Sequence, residues 1–472
     1  MKWTSVGKSR LARWLLATGQ GKKAMRFACS GIQPAAILLA GMLLHAAPAQ
    51  PAASSLLWFD EGKLVGQAST VLKALQSAEQ YGLSPSDYEM TVHGDQLDII
   101  LAGQADPGLR VQFDIAFTNA VSRFITHLHQ GRVSPAAVGI ELPPPAQEFD
   151  AALAVRKLAT APDVAVALAS FEPRIQPYHE LKRVLKEYRE LALQTASVRL
   201  PSSSEAALRP GDTYIGAPQL RNLLTTLGDL DVQAAGSNRN ELRIDAALSA
   251  AVQRFQLRHG LDVDGVLGQQ TLAALNTPLN SRVRQIELTM ERWRWLGSIR
   301  HPDIVVSIPQ FMLYALPPPA SAENKILQMP VYVRRNEPQQ RTQFYSGEIR
   351  QLVFQPEDDA SPLKLILPNA YDISPRIAVD EDARRSYSQR CNSASETTPL
   401  ALYVLKNSAD TWTFQSATAA MCGTRTQRVF LGTPMNVVIF FATAAVSPTG
   451  STLFFDDVYG YDRKLQQLLG MK

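Results

Sequence analysis

Residues 250–275, AAVQRFQLRHGLDVDGVLGQQTLAAL, narrow the fold of this chain more than any other stretch. They read as helix, tight turn, helix. Ala251, Val252, Phe255 and Leu257 recur at helical spacing and predict one apolar face. His259-Gly260 predicts the helix stop, because glycine tolerates the left-handed conformation that ends a helix. Asp264-Gly265 and Gly268 predict a turn. Thr271, Leu272, Ala274 and Leu275 open a second amphipathic helix. A helix predicted over 219–227, with Leu220, Leu223, Leu224 and Leu227 on one face, completes a three-helix unit. The order F-Q-x-x-x-G-L-x-x-D-G-x-x-G-x-x-T-x-x-A-L is far more specific than a generic helical hairpin requires.

The chain has 472 residues, too many for one ordinary domain, and two to four are expected. Its net charge of +4 is uneven. Residues 1–49 hold seven Lys/Arg and no acid, leaving 40 basic against 43 acidic groups in the rest. That balance does not mark a nucleic-acid binder. The same 49 residues read as a secretion signal, with a basic segment, an apolar run at 35–44, and Ala47-Pro48-Ala49 as cleavage site. The alternative is an uncleaved anchor, which would hold the chain at the inner membrane. Cys29 precedes the apolar run and is badly placed for a lipid anchor. The run at 437–446 (VVIFFATAAV) reads as a buried strand.

Residues 50–200 are dense in helical pattern. Val71, Leu72, Leu75 and Ala78 form one stripe, the pattern recurs over 115–128, and Leu181, Val184, Leu185 and Tyr188 line a later helix. His127 and His129 sit two apart, on different sides of a helix, so no metal site is expected there. Pro201-Ser202-Ser203-Ser204 reads as a linker. Residues 282–296 (RVRQIELTMERWRWL) read as a joining helix whose Trp293 and Trp295 pack against a neighbour rather than stack on sugar. After His301 the pattern turns to short strands at 303–308, 311–315, 331–333, 349–354, 363–367, 428–431, 437–441 and 451–455, with a helix following Cys391.

Several runs carry a family resemblance: the module motif, 78–88 (AEQYGLSPSDY), 114–135 with its HLHQGR run, 177–189 (PYHELKRVLKEYR), 290–296 (MERWRWL) and 456–462 (DDVYGYD). The motif resembles the small three-helix peptidoglycan-binding module of bacterial wall enzymes. The chain after residue 49 resembles the L,D-transpeptidase family, in its large periplasmic branch with a helical scaffold. The resemblance implies that Phe255, Gln256, Gly260, Leu261, Asp264, Gly265, Gly268 and Thr271 form the peptidoglycan-binding positions. It also implies covalent acyl transfer, in which a cysteine thiolate attacks a stem-peptide carbonyl. A histidine moves the protons, and backbone N–H groups hold the oxyanion beside a glycine.

Aligned without gaps, 384–391 (RRSYSQRC) places Cys391 on the nucleophile of the family's R-R-x-aromatic-S-H-G-C. Gln389 then stands at the motif histidine, Arg390 at the glycine, and Asn392-Ser393 at an apolar-Arg pair. Residues 368–373 (PNAYDI) match the start of the upstream motif, and extending them puts Arg376 at its histidine. The lid signature N-P-x-W-x-V-P survives only as Gln355-Pro356, and Arg334 replaces a loop glycine. Glutamine takes no proton at neutral pH, and no histidine follows His301. Arg376 and Arg390 would lower a thiol pKa without shuttling protons. Loss of general acid–base help costs about a hundred- to ten-thousandfold in rate. Cys391 and Cys422 are either a disulfide or free thiols, and both readings stand.

The expected fold class is α+β multidomain: signal 1–49, helical scaffold 50–200, module 201–280, linker helix 281–300, and a mostly β L,D-transpeptidase-like domain over 301–472. The expected protein is periplasmic and takes peptidoglycan as partner, with other wall-synthesis proteins as further candidates and no nucleic acid. No metal or cofactor is expected. It acts as a catalytically impaired wall-binding scaffold or regulator; the competing reading is an active transpeptidase working through Cys391. A wall hydrolase of another class is the weakest reading, lacking a zinc or Ser/His/Asp constellation.

Overall fold

The computed structural model describes residues 56–90, 94–140, 142, 148–195, 199–202, 207–233, 241–296, 302–317, 326–335, 344–355, 362–368, 371–375, 387–447 and 449–471, without the side chains of 94, 195, 334, 335, 371 and 387–393. The signal and Arg376 lie outside these residues.

The first body is helical. A small hairpin, β1 (Phe59–Asp60) and β2 (Lys63–Leu64), leads into α1 (Gly66–Gln76), α2 (Gly94–Leu101), α3 (Pro107–Gln130), α4 (Ala151–Ala159) and α5 (Val164–Ala169). Helix α3 starts where Asp106 accepts the Leu109 N–H and Pro107 supplies a ready-made helical φ. Its buried stripe is Phe113, Phe117, Ala120, Val121, Phe124 and Leu128. Trp58, fully buried, meets Phe117 edge-on at 4.8 Å. Residue 115, where the sequence pattern opened this helix, is an exposed isoleucine.

The next helix, α6 (Gln176–Thr195), buries Tyr178, Leu181, Val184, Leu185 and Tyr188, the face read from the sequence. It packs on a helix much later in the chain, α10 (Leu279–Arg294). Between them stands the three-helix unit: α7 (Ala217–Thr226), α8 (Ala246–Arg258) and α9 (Gln269–Leu275), with a two-residue ribbon of β3 (Ala207–Leu208) and β4 (Leu267–Gly268). Leu220, Leu224, Leu248, Val252 and Phe255 fill its core. Leu257, read as part of that face, is 67% exposed. Two residues along a helix turn the side chain by about 200°, so 255 and 257 cannot share a face.

The C-terminal part is a closed seven-stranded barrel, ordered β10-β7-β6-β5-β11-β8-β9. Its strands are β5 (Ile304–Ser307), β6 (Met312–Ala315), β7 (Leu327–Arg335), β8 (Tyr345–Phe354), β9 (Leu363–Ile366), β10 (Tyr371–Pro375) and β11 (Gln427–Phe440). Only β5 and β11 pair in parallel among the described strands. Residues 428–431 and 437–441, read as two strands, belong largely to the single strand β11, whose register shifts between Phe430 and Met435. The apolar run at 437–446 divides: β11 stops at Phe440, and β12 (Ala444–Val446) leaves to pair with β13 (Thr452–Phe454). Two helices, α11 (Tyr387–Leu405) and α12 (Phe414–Cys422), pack on each other, and α13 (Tyr461–Leu468) closes the chain.

That apolar run is continuous because both faces of β11 are buried. Val437 and Ile439 join the core that also holds Ile304 and Val306, while Val438 and Phe440 join a different core with Val305, α6 and α10. Alternation with period two sends neighbours to opposite faces. Trp293 stacks on Phe440 at 3.9 Å, and Trp295 donates Nε1–H to the Val133 carbonyl at 2.7 Å. Both tryptophans pack, and neither is free to stack on a sugar.

Candidate functional site

The motif residues of the three-helix unit meet at one turn. Gln256 is 1% exposed, and its Nε2 donates to Asp264 Oδ1 at 2.8 Å, the Val266 carbonyl at 3.0 Å and Thr271 Oγ1 at 3.2 Å. Its Oε1 accepts the Gly265 N–H at 2.8 Å. Asp264 Oδ1 also accepts the Val266 N–H at 2.9 Å; that bond, with help from Gln256, holds its carboxyl below the usual range. Gly265 has φ +69°, and a Cβ there would lie 2.5 Å from Ser249 Oγ. Gly260 also has positive φ, +64°, just past the α8 C-cap. Phe255 and Thr271 are buried, Leu261 packs half-buried on the same core, and Gly268 is the N-cap of α9. The resemblance implies that these residues contact peptidoglycan, which their geometry here leaves untested. Most of their polar groups bond one another and shape the turn.

The cavity of this unit opens away from that turn, where α6, α7, α8, α9 and α10 meet, with Phe255 of the motif in its wall and a volume of about 520 Å³. Arg199, Arg258 and Arg282 line it, and among the described residues no Asp or Glu does. Arg258 is buried and answered: Nε reaches Asp229 Oδ1 at 2.7 Å, Nη2 bonds Oδ2, and Nη1 donates to the Tyr188 hydroxyl at 3.2 Å. Among the described residues Arg282 meets the neutral Gln285 Oε1 at 2.9 Å and the ring of Phe454 at 5.1 Å, with no carboxylate in ion-pair range. Burial pushes its guanidinium down to about 10, so it stays charged at neutral pH. His259 stacks on Phe255 at 3.8 Å and its Nδ1–H donates to the Phe255 carbonyl at 2.8 Å. Burial, then Arg258 and Arg282, hold the imidazole well below its usual range, hence neutral. Its Nε2 is therefore an acceptor. The sequence pattern missed these groups: Arg258 and His259 fill unassigned slots of the motif, and Arg282 meets them only through the fold.

At the expected catalytic positions the backbone departs from the reading. Helix α11 begins at Tyr387, so Gln389, Arg390 and Cys391 lie inside it rather than before it. In an α-helix the fifth N–H bonds the first carbonyl, which commits the Cys391 amide to the ladder instead of an oxyanion. Their side chains, and Arg376 altogether, lie outside the description. Cys422 ends α12, half-buried against the barrel core. The described imidazoles, His127, His129, His179 and His259, all sit on or at the ends of α3, α6 and α8. His127 bonds the Tyr88 hydroxyl at 2.9 Å, and His129 stacks on Phe149.

A family model described as a scaffold domain matches residues 50–185, and one described as a peptidoglycan binding domain matches 217–275. Both lie N-terminal to the barrel. The chain is also similar to the N-acetylmuramoyl-L-alanine amidase CwlM of Mycobacterium tuberculosis, 42% identical over 73 residues. That stretch is 15% of this chain and 18% of the relative, so the chain spans under a fifth of that protein's length. These matches support peptidoglycan as a partner and an envelope association. Among the described residues no helix is long and apolar enough to cross a membrane.

Proposed function

We propose that this chain is a peptidoglycan-associated periplasmic protein of L,D-transpeptidase-like architecture, whose barrel domain no longer performs efficient acyl transfer. It works as a wall-binding scaffold or regulator. The proposed layout is a signal over 1–49, a scaffold over 50–200, a wall-binding module over 201–280, a joining helix over 281–300 and the transpeptidase-like domain over 301–472.

The observation that carries the wall-binding half is the module itself, whose motif residues build the turn and whose stretch 217–275 matches a peptidoglycan binding domain. The inactive half rests on Gln389 and Arg390, which stand where a proton carrier and a glycine would be needed. A backbone already helical at Cys391 supports the same reading. An active transpeptidase is the rival, favoured by the retained sulfur. Intact-mass spectrometry after incubation with a carbapenem separates them. The proposal expects an unmodified chain that nonetheless sediments with purified sacculi. A stoichiometric adduct on Cys391 would establish the rival.

A further inference from the structure

The module's motif residues are occupied with one another, which leaves open where a ligand would be held. The cavity at the junction of α6, α7, α8, α9 and α10 is the place with chemistry to spare. Its wall carries Arg199 and Arg282, neither within ion-pair distance of a carboxylate among the described residues. The acid felt most by Arg282 is Asp456, which forms no ion pair with it. Arg258 is the contrast, since Asp229 engages it with both oxygens. A partly buried guanidinium without a carboxylate is costly unless an anion completes it.

Two further features agree. Helix α10 is sixteen residues long, its N-cap is Pro278, no side chain caps it, and its first turn holds no acid. Leu279 and Asn280, at that positive end, line the cavity. His259, whose Nδ1 is committed to the Phe255 carbonyl, also lines it. Leu223, Leu227 and Leu275 supply an apolar wall. The volume of about 520 Å³ falls in the range of small-ligand sites. A neutral glycan would bring no counter-charge to the two guanidiniums, and a bare phosphate would leave the apolar wall unused. A short peptide with a free carboxylate, N–H donors and small methyl groups uses all three.

Resting on the wall-binding reading above, we propose that this cavity is the module's ligand site and that it takes a free carboxylate of the peptidoglycan stem peptide, with Arg199 and Arg282 as its cationic partners. The test is isothermal titration of the full chain with a soluble disaccharide-tetrapeptide and with the same fragment amidated at its stem carboxylates. Arg199→Gln and Arg282→Gln are titrated alongside. Arg199 is exposed, so its variant keeps the fold even if the other loses stability. Amidation and each substitution should weaken binding about ten- to a hundredfold, the scale of a charge-assisted hydrogen bond. Equal binding by wild type and Arg199→Gln, no binding of the fragment, or inorganic phosphate binding as tightly as the fragment would each overturn the assignment. Sacculus sedimentation reads the parent proposal separately. If wild type pellets with sacculi while both variants bind the fragment normally, the cavity alone is refuted. If wild type neither pellets nor binds the fragment, both fall.

Discussion

Gln256 shows how one side chain can hold a whole turn. It bonds four groups spread over Asp264, Gly265, Val266 and Thr271, all from inside the core. Replacing it by leucine keeps the bulk and leaves the Gly265 N–H with no acceptor from that side chain. Gln256→Leu should therefore lower stability by about 2–4 kcal/mol, since a buried donor left unmade costs more than a hydrogen bond contributes. Chemical denaturation with a probe in the module checks this; a change below about 0.5 kcal/mol would show that the network does not hold the turn. The motif was legible in sequence because its residues lie within 21 positions of one another and their types are demanding. Their roles were not legible, because a glutamine that binds a ligand and one that binds its own turn look the same in one dimension.

At the scale of elements, α10 decides the packing. The sequence reads it as a joining helix, and its second half, from Ile286 onward, is buried on every side, charges included. Glu291 accepts the backbone N–H groups of Arg132 and Val133, the second at 2.9 Å, and pairs with Arg294 at 3.0 Å. Gly131, with φ +84°, is required there, because a Cβ would stand 2.7 Å from Glu291 Oε1. Arg294 in turn donates to the Tyr81 carbonyl and, at 3.3 Å, to the Tyr178 hydroxyl. Glu291→Gln leaves Arg294 charged, buried and without its carboxylate. The expected loss is about 3–5 kcal/mol, read as a lowered unfolding midpoint, whereas Glu→Gln at the exposed Glu187 should leave the midpoint nearly unchanged. Equal midpoints for the two variants would mean that this network contributes nothing net.

On the scale of the whole molecule, the barrel is not self-contained. Val305, Val438 and Phe440 face α6 and α10 rather than the barrel core. Cut away from those helices, a 301–472 fragment would expose this apolar face. We expect it to bind a hydrophobic dye and to lack the near-ultraviolet dichroism of packed aromatic rings. A fragment beginning at residue 170 should keep both α6 and α10 against the barrel and melt cooperatively. A 301–472 fragment that melts as sharply as the longer one would refute this dependence.

Local order in the chain was enough to determine the periodic stripe of α6, most of those of α3 and α8, the motif turn, the switch to strands after residue 301, and the lack of any histidine beyond that point. Each depends on residues a few positions apart, or on composition alone. Only the tertiary structure decided that β5 and β11 close a barrel, that α10 lies at the centre, and that Arg282 shares a cavity with Arg199 and His259. Those facts join residues tens to more than a hundred positions apart. What brings them together is the burial of apolar faces, which is not directional: it marks a face for cover without naming the partner that covers it.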